Sequence, residues 1–343
     1  MDAVVGGDTH KDTHALELVA GSGAAIATIT VGNDAGGYAA AIGWIAGHAA
    51  GRRLIVGLEG TRSYGIGLAR ALQRAGLTVV EVERPKREQR RGRGKSDAID
   101  ARLAALAVLR MDADRLPTPR ADGDREALRI LLSARAELVG TQTGQLNRLR
   151  ALLLLGDDTE RALSHGRVNR GWLAQITGRR GRGSDTREAV VRRAESHRLA
   201  GAIRAGEREL KANRDQLADI VEDLAPGVLT RRGIGPVSAA QALVSWSHPG
   251  RCRTEAAFAA LAGASPIPAS SGRQIRHRLN RGGDRQLNRA LHTITLSRWR
   301  SCPRTRDYIN RRRAEGKTDR EIRRILKRYI ARELFRTLTA ATT

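Results

Sequence analysis

The chain has 343 residues, 41% hydrophobic and 3% aromatic, enough for two or three structural units with buried cores. Its 61 Lys and Arg against 36 Asp and Glu give a formal charge of +25, which excludes a neutral-surface metabolic enzyme and points to a polyanion, by default nucleic acid. No uninterrupted apolar run suits a membrane span or secretion signal, and two distant cysteines, Cys252 and Cys302, exclude a disulfide framework or a cysteine zinc site, so a reducing cytosol is expected.

The first 83 residues carry six basic and eight acidic side chains, a net of −2, so the rest of the chain carries +27. The split suggests a mildly acidic N-terminal unit that does chemistry, followed by segments that hold the polyanion. Residues 3–6, 14–20 and 25–32 read as three strands joined by tight turns. A helix over 36–48, a strand at 53–58, a helix near 63–75 and a strand at 77–83 follow. This order matches the ribonuclease-H-like fold. After a basic stretch at 84–96, Ser96 is a candidate N-cap for a helix over 97–110.

Residues 116–123 break helix and read as a boundary. From 124 to 155, Leu131, Leu138 and Leu152 keep a seven-residue register that Gln145 interrupts; Ile203, Leu210, Leu217 and Leu224 keep it without a break. Such heptads fit an antiparallel pair within one chain or a seam between two chains. Between them, 156–196 is rich in Gly and Arg and reads as a mobile phosphate-binding arm, or else a solvated loop. Residues 228–246 resemble a helix–hairpin–helix in which Gly233 and Gly235 let backbone amides approach a phosphate, a plain linking turn being the alternative. The tail 304–334 has an apolar stripe of Ile322, Ile325, Leu326, Ile330 and Leu334 opposite many Arg and is read as a basic amphipathic helix on DNA or RNA. Trp172, Trp246 and Trp299 are read as packing residues. The expected organisation is thus an α/β domain over 1–115, a coiled-coil connector over 124–225 and an α-helical domain over 226–343.

Four carboxylates stand at strand ends or a helix start. Asp8 follows the first strand, Glu59 ends the fourth, and Asp97 and Asp100 share one helix face at i, i+3 spacing. Strand ends in a sheet lie at a common edge, where four acids repel unless cations lie between them; two Mg²⁺ would neutralise them and clamp an in-line phosphoryl displacement. Alone, Asp97 and Asp100 would equally suit a helix dipole. His10 and His14 flank the first acid, but in a strand and turn they are given little weight as ligands.

The strings GGDTHKDTHAL (6–16), LEGTRSYG (58–65) and KSDAIDA (95–101) resemble, in order and separation, the acidic motifs of the insertion-sequence-110-type transposases, the DEDD group with a RuvC-like nuclease domain. Arg62 departs from the small residue of many relatives. Residues 257–292 resemble that family's C-terminal serine domain, Asp284 replacing a common Asn. The resemblance implies a metal-binding tetrad of Asp8, Glu59, Asp97 and Asp100, with Mg²⁺ or Mn²⁺ as cofactor. It implies a nucleophilic serine, Ser271 or the adjacent Ser270, with Arg273, Arg276, His277, Arg278 and Arg281 holding phosphates. It further implies donor and target DNA, a structured noncoding guide RNA, a homodimer or homotetramer, and a place in the bacterial cytosol or nucleoid. The rival readings are a structure-selective endonuclease that activates water and a non-catalytic nucleic-acid-binding protein.

Overall fold

Aliphatic and β-branched residues dominate the first strands because both faces of the sheet they form are covered. The computed structural model describes residues 2–82, 97–112, 116–120, 122–268, 277–278, 280 and 282–341. The sheet contains β1 (Ala3–Thr9), β2 (Thr13–Ala20), β3 (Ala25–Gly32), β4 (Leu54–Glu59) and β5 (Thr78–Val82). Helices α1 (Ala35–His48), α2 (Ile66–Arg74) and α3 (Asp97–Leu109) come after β3, β4 and β5. The spatial order is β3-β2-β1-β4-β5, with β1, β2 and β3 an antiparallel meander and β4 and β5 parallel to β1. This is the predicted element order, with each boundary within three residues of expectation.

One face of the sheet buries Leu16, Leu18, Val56 and Leu58 against α1 and α2. The other buries Val4, Val19, Val80 and Val82 against Ala104, Ala105 and Val108 of α3. On that face Gly6 and Gly57 are register partners. A Cβ on Gly6 would lie 2.0 Å from the Ala101 carbonyl oxygen, and one on Gly57 2.3 Å from Val108 Cγ2. The helix therefore rests on bare strand backbone.

The chain divides into two compact units, Met1–Glu126 with Ser247–Arg251, and Ala127–Trp246 with Cys252–Thr343. The first is the mixed α/β sheet domain and the second is mostly helical. In the second, α4 (Gly123–Leu154) and α7 (Arg187–Leu224) run antiparallel. Asn213 Nδ2 donates to the Leu131 carbonyl at 2.9 Å, Arg135 Nη1 to the Leu210 carbonyl at 2.9 Å, and Gln142 Nε2 to the Ile203 carbonyl at 3.4 Å. Of the two arrangements the heptads allow, these bonds are those of an intrachain pair.

The segment 156–196 is not a loose arm. It forms α5 (Asp158–Ser164) and α6 (Arg170–Thr177), whose Trp172, Leu173 and Ile176 pack on Leu149, Leu153 and Leu199. Buried Glu160 accepts from Arg192 Nη2 at 3.1 Å and lies 3.6 Å from Arg179 Nε, while Asp185 pairs with Arg193 at 2.6 Å. These arginines are neutralised internally, which composition alone does not reveal.

The remaining elements are α8 (Pro236–Trp246), α9 (Glu255–Leu261), a short β6–β7 ladder (Ile267–Pro268, His277–Arg278), α10 (Arg285–Ser301), α11 (Pro303–Ala314) and α12 (Asp319–Ala341). The tail expected as one helix is broken between α11 and α12. Of its apolar stripe, Ile322, Leu326, Ile330 and Leu334 are buried in the unit's own cores. Trp172 and Trp246 are core residues, and Trp299 packs beside Ile309 and Ile322 and receives Arg313 and Arg323 over its ring. Among the described residues no helix is long and apolar enough to cross a membrane.

Candidate active site

Side chains alternate across a strand, so Asp8 shares the α3 face with Gly6, and Glu59 shares it with Gly57. The last paired rung is Gly7 with Leu58, which puts Asp8 and Glu59 one rung beyond it at the carboxyl ends of adjacent parallel strands. Thr9 Oγ1 donates to the Glu59 carbonyl at 2.8 Å and ties these ends together. The turn after β4 closes over Thr9: Gly60 has φ of 71°, and a Cβ there would lie 2.6 Å from Thr9 Oγ1. The small residues of 58–65 thus have a packing role beside the acid.

The start of α3 meets this edge. His10 Nε2 lies 3.1 Å from Asp8 Oδ2 and 3.2 Å from Asp97 Oδ1. Ligating atoms of Asp8, His10 and Asp97 all fall within 4.8 Å of one another. Asp8 and Asp100 are each 7% exposed. Burial pushes the Asp8 carboxyl above its ordinary range; His10 opposes this, and the nearby charges of Asp100 and Asp97 add to it. A partly buried carboxylate crowded by others is stabilised by a cation, and hard oxygen donors with one imidazole suit a divalent ion.

Of the four expected acids, Asp8 and Asp97 fall in this cluster, Asp100 is a charge near Asp8, Glu59 is not one of its members, and the third member is His10, to which the sequence assigns little weight as a ligand. Its signal was only adjacency to Asp8, because a turn residue has no periodicity to betray its direction. His14 goes elsewhere: it is fully buried in β2, its Nε2 2.9 Å from Asn33 Oδ1, and burial lowers its pKa.

Ser270, Ser271, Arg273, Arg276 and Arg281 lie outside the described residues, and for His277 and Arg278 only the backbone ladder is described. Asp284 N-caps α10, accepting from the Gln286 and Leu287 amides at 2.9 and 3.0 Å and from Ser245 Oγ at 2.5 Å. Gly233 has φ of 81° before α8, and Gly235 faces open space.

Comparison with known proteins gives matches in both the N-terminal and the C-terminal parts of the chain. A transposase family model, DEDD_Tnp_IS110, matches residues 5–155, and a model of the transposase IS116/IS110/IS902 family matches residues 227–310. Both models describe transposase domains, so the two matched segments are similar to those of insertion-element transposases. The chain carries the paired domains of the IS110 family. The insertion element IS110 uncharacterized 43.6 kDa protein of Streptomyces coelicolor is 33% identical over 123 residues, covering 35% of this chain and 30% of that protein. The insertion element IS900 uncharacterized 42 kDa protein of Mycobacterium paratuberculosis is 29% identical over 273 residues, 66% of this chain and 67% of that protein.

Proposed function

We propose that this protein cuts and rejoins DNA as the recombinase of its insertion element, through a ribonuclease-H-like domain and a serine nucleophile. The reading rests above all on the convergence of Asp8, His10 and Asp97 within 4.8 Å at the carboxyl edge of the sheet. Asp8, Glu59, Asp97 and Asp100 would hold Mg²⁺, with His10 beside them. Bound divalent ions supply neutralisation of the attacking and leaving oxygens of an in-line displacement at phosphorus.

The Ser271 hydroxyl attacks the scissile phosphorus. A bond from Oγ to phosphorus forms, the bond to the leaving strand end breaks, and that end departs as a hydroxyl. A second strand end then displaces the serine, which restores the diester without an outside energy source. Arg273, Arg276, Arg278 and Arg281 bind neighbouring phosphates, and the Gly233–Gly235 turn binds another by its amides. A structured noncoding RNA would choose donor and target, and the working form would be a dimer or tetramer. The 1–115, 124–225 and 226–343 division assigns metal binding, spacing and nucleophile to successive segments.

The test is incubation of the protein with Mg²⁺, element-end DNA and the candidate RNA, followed by a denaturing gel. Covalent protein–DNA adducts that disappear in Ser271→Ala and in Asp8→Asn are expected. Cleavage without adducts would instead assign a hydrolytic endonuclease, and binding without cleavage a non-catalytic protein.

A further inference from the structure

The helical unit contains a cleft of about 1060 Å³ between α10, α12 and the chain on either side of the β6–β7 hairpin, where Pro266 and Gly282 line it. Its walls combine two chemistries. Arg285, Arg289, Lys317 and Arg324 line it and make no ion pair within 4 Å among the described residues, the Glu321 carboxylate on the same wall feeling the charges of Lys317 and Arg324 without closing a bridge. Ile325, Pro266 and the ring of Tyr329 give it an apolar side. Tyr329 is 45% exposed, yet its ring is braced edge-on against Tyr308, with centroids 5.9 Å apart.

From this juxtaposition we infer that the cleft is a binding site for unpaired nucleotides of a single-stranded polynucleotide, a base stacking on Tyr329 while its phosphates engage Arg289 and Arg324. Cations along a groove with an aromatic platform are the two elements of single-strand recognition. A duplex would satisfy the cations alone, because its base faces are already stacked on one another. An acidic peptide would leave the ring uncovered.

Lys327 supports the assignment. Its ammonium donates to Asn288 Oδ1 at 2.8 Å, and Asn288 is itself fixed by donating to the Ala262 carbonyl at 2.6 Å. Burial and the Arg324 charge hold the Lys327 pKa below its ordinary value, a penalty that a phosphate between them would relieve. The apolar face of α12 is already used by the core, so this cleft is where the basic side of that helix meets a concave surface.

The inference rests on the nucleic-acid reading above but needs no strand cleavage. Full-length protein is titrated by anisotropy with fluorescent oligothymidylate, oligouridylate and a hairpin duplex of equal length. Tyr329→Ala should weaken single-strand binding roughly 5- to 100-fold and leave duplex binding unchanged, while Tyr329→Phe retains it. Arg289→Ala and Arg324→Ala should each lower the salt slope for the single strand by about one. The oligomer that shows the Tyr329-dependent loss, DNA or RNA or both, is the occupant. Equal losses on duplex and single strands, or no loss in Tyr329→Ala, would overturn the site. In chelator, where no metal-dependent strand cleavage can occur, the Tyr329-dependent loss should persist, so failure of the catalytic reading is seen separately.

Discussion

At Asp8, burial and neighbouring carboxylates both work against the charged form, while the His10 ring is its compensating contact. In metal-free buffer Asp8→Asn should therefore raise the melting temperature, by less than about 2–4 °C for each kcal/mol in a chain longer than 150–250 residues. Adding Mg²⁺ should stabilise the wild type and leave Asp8→Asn and Asp97→Asn unmoved, as binding to the native state alone raises stability. Calorimetric scans with and without chelator check both. A wild type indifferent to Mg²⁺ and Mn²⁺ would remove the metal from the account. Glu59 stood out in the sequence because it ends an apolar strand, where a turn would more usually place Gly, Asn or Asp, whereas Asp8 drew notice only through its place after the first apolar run. His10 was not legible, since the distance that matters runs from a turn to a helix almost ninety residues later.

For whole elements, the contact of α3 with Gly6 and Gly57 decides whether the acids meet. Gly6→Val should push α3 off the sheet, costing more than the 1–3 kcal/mol typical of overpacking because the obstacle is Ala101 backbone. Urea denaturation should show the lost stability and strand-cleavage assays a loss of activity; a native-like variant would show that α3 is free to move. In the 156–196 segment, Glu160→Ala should cost less than the roughly 3–5 kcal/mol of breaking a buried pair, because Arg179 keeps Asp157 and Arg192 keeps Glu188. The sheet order could be read from alternation and turn residues, and the long helices from their heptads. The folded insert could not. Its Arg-Gly composition is that of a solvated loop, and only a three-dimensional arrangement shows Glu160, Asp157 and Asp185 answering those charges. The tail stripe was visible, but what covers it depends on contacts between α12 and α8, α9 and α10, distant in sequence.

Across the whole molecule, charge is divided as sharply as structure: the +27 carried beyond residue 83 implies nucleic-acid affinity falling steeply with salt, by 10³ or more between about 50 and 200 mM for 6–10 phosphate contacts. Acid should act on the helical unit through Glu333. Burial raises its carboxyl, but the paired bonds from Arg298 at 2.7 and 2.9 Å and the Arg231 charge outweigh this and hold it below the ordinary range. Its stabilising contribution is complete above the unfolded value of about 4.3 and is lost as pH falls through the lower folded value. Glu333→Gln should accordingly melt earlier than the wild type at neutral pH and approach it near pH 3, as measured by circular dichroism. A constant gap across that range would refute the linkage.

The antiparallel α4–α7 pair has a mechanical corollary. Thirty-two helical residues in α4 span about 48 Å at 1.5 Å per residue, longer than one turn of B-form duplex at roughly 34–36 Å. The small core around Trp172 at its tip and the larger one around Phe258 at its root belong to a single stiff strut. Its two ends are therefore held a fixed distance apart, so the core around Trp172 cannot approach the core around Phe258 unless the pair itself bends.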